Sequence, residues 1–245
     1  MEKLIESKLK EIYLLKRKIM EKRIRYISFI KQKKPGISNV LKTLMNYKMT
    51  LIERKINSPL NGLLEKRTVD NFIKDQKLKK DAISLLTDRK HFGSSYYEMV
   101  KKGNYVKNLP KLKKEFIISK LQLYLYPYGY DIILIIWGLN SKKKTKNIIK
   151  LAKFFNLVTI IEAKDIKEIL SIRKESKGNI IGVNSRNLKN FKIRKNKILE
   201  LKRKKNIVFE SGILNKNELI KVRNIGFKGV LIGSGLSKDS FYLKN

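Results

Sequence analysis

The 245-residue chain has no cysteine, one histidine, one tryptophan and four prolines. Without cysteine there is no disulfide and no thiol nucleophile, which fits a reducing compartment and leads us to expect a cytoplasmic protein. One histidine, His91, makes a histidine-based metal centre improbable; it reads as a loop residue beside Phe92. No apolar run is long enough to span a bilayer, and the N-terminus is too polar for a signal segment, so no membrane association is expected. The longest such run, Ile132–Trp137, has the length of a strand. Acidic residues are also scarce: 21 Asp and Glu stand against 58 Lys and Arg, a formal charge of +37.

So basic a chain raises the question of nucleic acid or membrane-surface binding. The lysines, however, are spread over nearly every segment and are not gathered with aromatics into a stripe. Lys, Ile and Asn are enriched together, as strong codon bias toward A and T would produce. We therefore expect no specific nucleic-acid partner, but adventitious RNA binding, sensitivity to salt and some self-repulsion. A positive field also favours a small substrate carrying phosphate and carboxylate groups. At this length one domain accounts for the whole chain, as a monomer or weak oligomer.

The order of segments is informative. A basic amphipathic helical stretch covers about residues 3–47, broken near Pro35-Gly36. Short apolar strands follow near 50–55, 80–86, 112–117, 131–136, 157–162, 179–184, 206–210 and 228–232. Helical patterns separate many of them, at 143–155, 165–173 and 216–225. Asn140-Ser141 and Asn215 supply helix starts, and Gly226 a stop. Strand then helix, repeated through about 195 residues, is the rhythm of a closed parallel barrel with outer helices. An open doubly wound sheet would carry a glycine-rich turn after its first strand. Here that turn is Asn57-Ser58-Pro59-Leu60-Asn61-Gly62. The expected fold is a single (β/α)8 barrel, residues 48–245, with an N-terminal helical extension, residues 1–47, and a short last helix within about 239–245.

Six of the apolar runs adjoin polar or glycine residues of catalytic type. Glu53 and Lys55 alternate on the first strand and so share one face. Lys114 and Glu115 adjoin the third, Glu162 ends the fifth, Asn184 and Arg186 follow the sixth, Glu210-Ser211-Gly212 ends the seventh and Gly233-Ser234 the eighth. One such case means little, since a structural ion pair or a strand-to-helix turn explains it. Six at similar intervals bring strand ends to one place. In a barrel that place is the C-terminal face, where phosphate often binds after strands seven and eight. Glycine there lets backbone N–H groups approach a phosphate closely.

Taken in order, these segments resemble the indole-3-glycerol phosphate synthase family. The resemblance is carried by Ile52–Pro59, Ala82–Asp88 with Phe92-Gly93-Ser94, Lys113–Ile118, Ile161-Glu162, Ile180–Leu188 with its Asn184-Ser185-Arg186-Asn187-Leu188 piece, Val208–Ile213 and Leu231–Leu236. It implies ring closure, decarboxylation and dehydration of a carboxyphenylamino-deoxyribulose phosphate, with no metal or organic cofactor. By match to the family motifs, Lys114 is the acid that protonates the ketone oxygen, and Glu162 the base of the dehydration. Lys55 lies near the substrate carboxylate and the departing hydroxyl, oriented by Glu53. How the two lysines divide the acid roles stays open. Such an acid needs a pKa near the working pH, and burial or neighbouring cations can supply that shift for a lysine. Asn184 and Arg186 bind substrate, and Glu210 meets the sugar hydroxyls or the lysine network. Ser58, Ser211, Gly212, Gly233 and Ser234 hold phosphate. Phe92, Phe116, Leu134 and Leu188 form an apolar slot for the aromatic ring, although such residues are more often simple core.

The chain departs from the family pattern in places. Ser58-Pro59-Leu60 stands where a second serine is common, Glu162-Ala163-Lys164 where Glu-Val-His is, and Glu115 where Asp is. The stretch 121–131 reads as about one residue short. Two other readings compete: a phosphate-sugar isomerase on the same fold, and a degenerate barrel acting as a basic RNA-binding or interaction protein. The set Lys55, Lys114 and Glu162 argues against the first, and retention of every matched acid and base against the second.

Overall fold

The computed structural model describes residues 2–20, 48–54, 57–58, 62–63, 81–88, 92–93, 109–124, 130–176, 179–184, 201 and 204–237. Alternation of side chains along short strands builds it. In β1 (Met49–Arg54), Met49 and Leu51 point one way and Ile52 the other. The same alternation runs through β4 (Ala82–Leu86), β5 (Lys111–Lys114), β6 (Ile132–Ile136), β7 (Val158–Ala163), β8 (Ile180–Val183), β9 (Ile207–Phe209) and β10 (Gly229–Ile232). One set, including Leu112, Leu134, Ile160, Ile180, Val208 and Leu231, packs inside the barrel. The other, including Ile83, Ile133, Ile161, Ile181 and Val230, packs outward against buried helix residues such as Ile148, Ile169 and Val222. A strand buried on both faces reads as a continuous apolar run, as these do.

All neighbouring pairs are parallel, and the eight strands close in the order β1-β10-β9-β8-β7-β6-β5-β4. This is the (β/α)8 architecture expected from the sequence. A two-residue antiparallel ladder, β2 (Asn57–Ser58) with β3 (Gly62–Leu63), makes the turn after β1. The helices are α1 (Glu2–Met20), α2 (Leu121–Tyr124), α3 (Lys142–Phe154), α4 (Ile166–Glu175) and α5 (Lys216–Asn224), with a 3-10 turn at Ser234–Ser237. No described helix is long and apolar enough to cross a membrane.

The start signals act as expected. Ser141 caps α3 by accepting from Lys144 N, and Asn215 caps α5 by accepting from Glu218 N at 2.9 Å. Gly226, with φ of +102°, follows α5 in the left-handed conformation that ends helices. Residues 21–47 and 238–245, with the expected helix break and last helix, lie outside the described residues.

The third barrel strand differs from its expected span. The apolar run to Ile117 reads as strand over 112–117, but β5 stops at Lys114. The cause is a buried glutamine. Gln122 Oε1 accepts from Ile118 N at 2.8 Å and Ser119 N at 3.0 Å, while its Nε2 donates to Phe116 O at 2.9 Å. These bonds satisfy backbone groups that a strand would have paired with a neighbour, so residues 115–119 turn away from the barrel.

Candidate active site

Period-two alternation carries the inward-facing series of six strands from apolar residues to a charged residue, an asparagine or a glycine at the C-terminal end. After Met49 and Leu51 comes Glu53; after Leu112, Lys114; after Val158 and Ile160, Glu162. After Ile180 and Gly182 comes Asn184; after Val208, Glu210; after Leu231, Gly233. Backbone bonds fix the strand ends: Asn184 N donates to Ala163 O at 3.1 Å and Glu210 N to Val183 O at 2.9 Å. The barrel interior is thus an apolar plug under a ring of ionisable groups.

Lys114 lies at the centre of that ring. Its Nζ donates to Glu53 Oε2 at 2.7 Å and stands 4.0 Å from Glu210 Oε2. Asn184 Nδ2 donates to Glu162 Oε1 at 3.1 Å, and Ser211 Oγ donates to Asn184 Oδ1 at 2.5 Å. Glu53, Glu162, Asn184 and Glu210 are all buried. Burial alone disfavours the Lys114 ammonium, but Glu53, Glu210 and Glu162 together outweigh it and hold the pKa above the usual lysine range. The expectation of a lysine tuned toward neutral pH is therefore corrected: burial acts in that direction, and three carboxylates reverse it.

Two glycines make room for the carboxylates. A Cβ at position 182 would lie 1.8 Å from Glu210 Oε1, and one at 233 would lie 2.6 Å from Glu53 Oε1. The Gly182 signal, a glycine inside an apolar strand, was available in the sequence but pointed to no site residue. Gly233, expected at the phosphate, has this second reason to be glycine. Gly212, also expected there, has φ of +89°, which favours glycine.

Other expected residues are placed less centrally. Phe92 and Phe116 are half-buried beside the ends of β4 and β5. Leu134 belongs to the apolar plug with Leu112 and Ile160, one layer below the charged ring. The residue of β6 at the level of Glu162 is Ile136, half-buried, which the sequence did not single out. Lys55, Arg186 and Leu188 lie outside the described residues, as do the side chains of Ser58 and Ser234.

A second ionic cluster adjoins the first. Lys8 of α1, 2 % exposed, meets Glu115 Oε1 at 2.7 Å, Glu11 Oε2 at 2.8 Å and Asp88 Oδ2 at 3.3 Å. Lys113 Nζ lies 2.8 Å from Glu115 Oε2 and donates to Gln122 O at 3.2 Å. The helix preceding the barrel is thereby tied to the segment that leaves Lys114. Burial pushes Glu115 up, and the Lys113 and Lys8 ammonium groups more than reverse it, holding its pKa down to about 2.

Comparison with known proteins identifies the family. The family model described as indole-3-glycerol phosphate synthase matches residues 1–242. The chain is 31 % identical over 239 residues to the indole-3-glycerol phosphate synthase of Petrotoga mobilis, covering 91 % of each. It is 33 % identical over 214 residues to that of Sulfurisphaera tokodaii, covering 85 % of this chain and 86 % of the relative. Among solved structures, N-acetylmannosamine-6-phosphate 2-epimerase from Clostridium perfringens superposes with a TM-score of 0.55 at 11 % identity, covering 85 % and 93 % of the two chains. Thiamine phosphate pyrophosphorylase from Pyrococcus furiosus does so with a TM-score of 0.53 at 15 % identity, covering 83 % and 92 %. These two likenesses establish the fold alone. Family model, relatives and barrel together assign the chain to the indole-3-glycerol phosphate synthase family.

Proposed function

We propose that the protein is a carboxy-lyase of tryptophan biosynthesis, converting 1-(2-carboxyphenylamino)-1-deoxyribulose 5-phosphate to indole-3-glycerol phosphate. The observation that carries this reading is the Lys114 ammonium, held by Glu53 with Glu210 beside it at the barrel mouth, in a chain of this family. The ring carbon attacks the ketone, and Lys114 gives a proton to the developing alkoxide. An alkoxide is far more basic than a carboxylate, so an ammonium that its carboxylate neighbours hold protonated is still a sufficient donor. Such a positioned acid contributes about 10²–10⁴-fold. Carbon dioxide then leaves, restoring the aromatic ring. Dehydration follows, with Glu162 as base and Asn184 orienting its carboxylate.

Ser211, Gly212, Gly233 and Ser234 follow β9 and β10, the positions at which such barrels bind phosphate. With Ser58 they form the proposed phosphate site, and Arg186 offers a planar fork for an anionic group. Lys55 completes the polar set near the substrate carboxylate. Phe92, Phe116 and Leu188 form the proposed apolar slot, and Ile136 is better placed for it than Leu134. The test is indole fluorescence when nucleic-acid-free protein meets the substrate. Lys114→Ala and Glu162→Gln are expected to abolish the signal while Lys114→Ala still binds a phosphate ligand. A folded wild-type protein that gives no signal would overturn the reading in favour of a degenerate barrel.

A further inference from the structure

α1 turns one face to the barrel, and the middle of that face carries a charge. Leu4, Ile5, Ile12 and Leu15 fall on it at helical spacing and are half-buried or buried. Lys8 lies among them and is buried more completely than any of these four. An apolar residue would continue the stripe and avoid taking an ammonium out of water. A buried ion pair rarely improves stability over apolar packing. What it does is fix distance and direction, because charge-assisted hydrogen bonds are short and directional.

The position fixed here is that of two neighbouring strand ends. Lys8 Nζ meets Glu115, the residue after β5, at 2.7 Å, and Asp88, just beyond β4, at 3.3 Å. Asp88 O accepts from Phe92 N at 3.0 Å, so the same contact steadies the turn that carries Phe92. Lys114 needs an anchor of this kind. It is the last residue of β5 and pairs with Leu86 of β4, but the ladder with β6 ends one residue earlier, at Lys113 and Ile133. At Lys114 the sheet therefore holds the strand from one side. Restraint comes instead from Glu115, whose carboxylate takes Lys8 on one oxygen and Lys113, at 2.8 Å, on the other. Lys113 is fixed in turn, since its Nζ donates to Gln122 O at 3.2 Å and lies 5.3 Å from the centre of the Tyr130 ring. Tyr130 donates to Leu123 O at 3.1 Å. Lys8 is the member of this network that α1 contributes.

We propose that Lys8 is a positioning residue of the reaction: docking of α1 sets Lys8 on Glu115 and Asp88, and this places Lys114 and the Phe92 turn for turnover. The inference rests on the synthase reading of the site. Lys114 Nζ has to reach the substrate ketone while it stays 2.7 Å from Glu53. A shifted strand end moves it off that geometry, and a displacement of about 1 Å costs about 10²-fold in rate. Lys8 gives no proton itself. Its effect runs through Glu115.

The experiment measures kcat and KM by indole fluorescence on the full chain, at a temperature where circular dichroism shows each variant folded. Lys8→Met is expected to lower kcat by about 10²-fold, with a smaller change in KM. Glu115→Gln should lower kcat to a similar extent, and the double variant no further, because the two residues act as one unit. Wild-type kcat in folded Lys8→Met overturns the proposal, and so do additive losses. Glu11→Gln controls for general damage to the helix. It leaves Lys8 on Glu115 and Asp88, so kcat should stay near the wild-type level, and an equal loss there overturns the assignment. If Lys8→Met does not fold, Glu115→Gln carries the test, with wild-type kcat as the overturning result.

A second readout needs no turnover. Acylating reagents attack neutral amines, so Lys114, 17 % exposed and bonded to Glu53, should react slowly. Mass spectrometry gives its labelling rate relative to the exposed Lys144. That rate is expected to rise in folded Lys8→Met, and an unchanged rate overturns the positioning role. Wild-type protein that makes no indole would sink the synthase reading, and labelling would still decide whether Lys8 sets Lys114.

Discussion

The two ends of the barrel handle polar groups in opposite ways. At the N-terminal end, among the described residues, charged side chains bond largely to backbone. Arg223 of α5 donates to Met49 O at 2.7 Å and Thr50 Oγ1 at 3.0 Å, and also to the Lys228 carbonyl, joining β1 to the start of β10. Asp81 accepts from Thr50 N at 2.8 Å and Asp131 from Lys111 N at 3.0 Å. In each case a carboxylate just ahead of one strand caps the start of its neighbour. At the C-terminal end the side chains bond to one another, and Glu210 bonds to no donor. Partners fixed in the backbone hold a barrel closed. Partners that are themselves ionisable can exchange protons, and their arrangement costs stability.

That contrast breaks most completely at Gly182. Gly182→Ala places a Cβ within 1.8 Å of Glu210 Oε1 and against Ile160 as well. Overpacking of this kind costs about 1–3 kcal/mol. The larger effect falls on turnover, because the carboxyl must leave its place. Indole formation is expected to fall, with circular dichroism unchanged. Unchanged turnover would show that the Glu210 position is not what the site requires.

Next in size is Lys8→Met. Removing one member of a buried ion cluster costs about 3–5 kcal/mol, because the other charges stay buried. The pH dependence has a definite sign. Glu115 is held down to about 2 against an unfolded value of 4.5, so its contribution is present above about pH 4.5 and lost as pH falls toward 2. With Lys8 gone, acid unfolding should begin at higher pH, which a titration followed by circular dichroism reads directly. Arg223→Ala comes third. Loss of charge-assisted bonds to backbone costs about 1.5–3 kcal/mol. Its unfolding temperature should fall while turnover of the folded protein at low temperature stays at the wild-type level. A loss of turnover without a loss of stability would erase the distinction between the two ends.

The closed parallel barrel was legible because strands buried on both faces leave unbroken apolar runs, and helix caps leave Asn, Ser and Gly at fixed offsets. The inward ring was legible for a related reason: period-two alternation places Glu53, Lys114, Glu162, Asn184 and Glu210 at strand ends. What alternation does not reveal is who bonds to whom. Nothing in the spacing of Glu53 and Lys114, 61 residues apart, foretells their 2.7 Å contact, nor that three carboxylates outweigh burial at Lys114. Gln122 was equally silent. Its effect on residues 115–119 comes from one side chain reaching three backbone groups, and it ends a strand that propensity extends. Lys8 reads as one more solvated lysine in a chain full of them, and only docking of α1 buries it.

The finest test concerns Ser211, which has two competing uses. Its position after β9 makes it a phosphate ligand in the proposed site, yet its hydroxyl donates to Asn184 Oδ1 at 2.5 Å. That bond fixes which way the Asn184 amide faces, and so directs Nδ2 toward Glu162 Oε1. A neutral hydrogen bond contributes about 0.5–1.5 kcal/mol, so Ser211→Ala should change the kinetics only several-fold. The direction of the change separates the uses. A serine that holds phosphate supports binding of the ground state and transition state alike, so its loss raises KM and spares kcat. A serine that holds Asn184 acts on the base, so its loss lowers kcat with KM nearly constant. The bond already present at 2.5 Å leads us to expect the second outcome. A pure KM effect would place Ser211 with the phosphate and leave Asn184 to orient the base by its strand-end position alone.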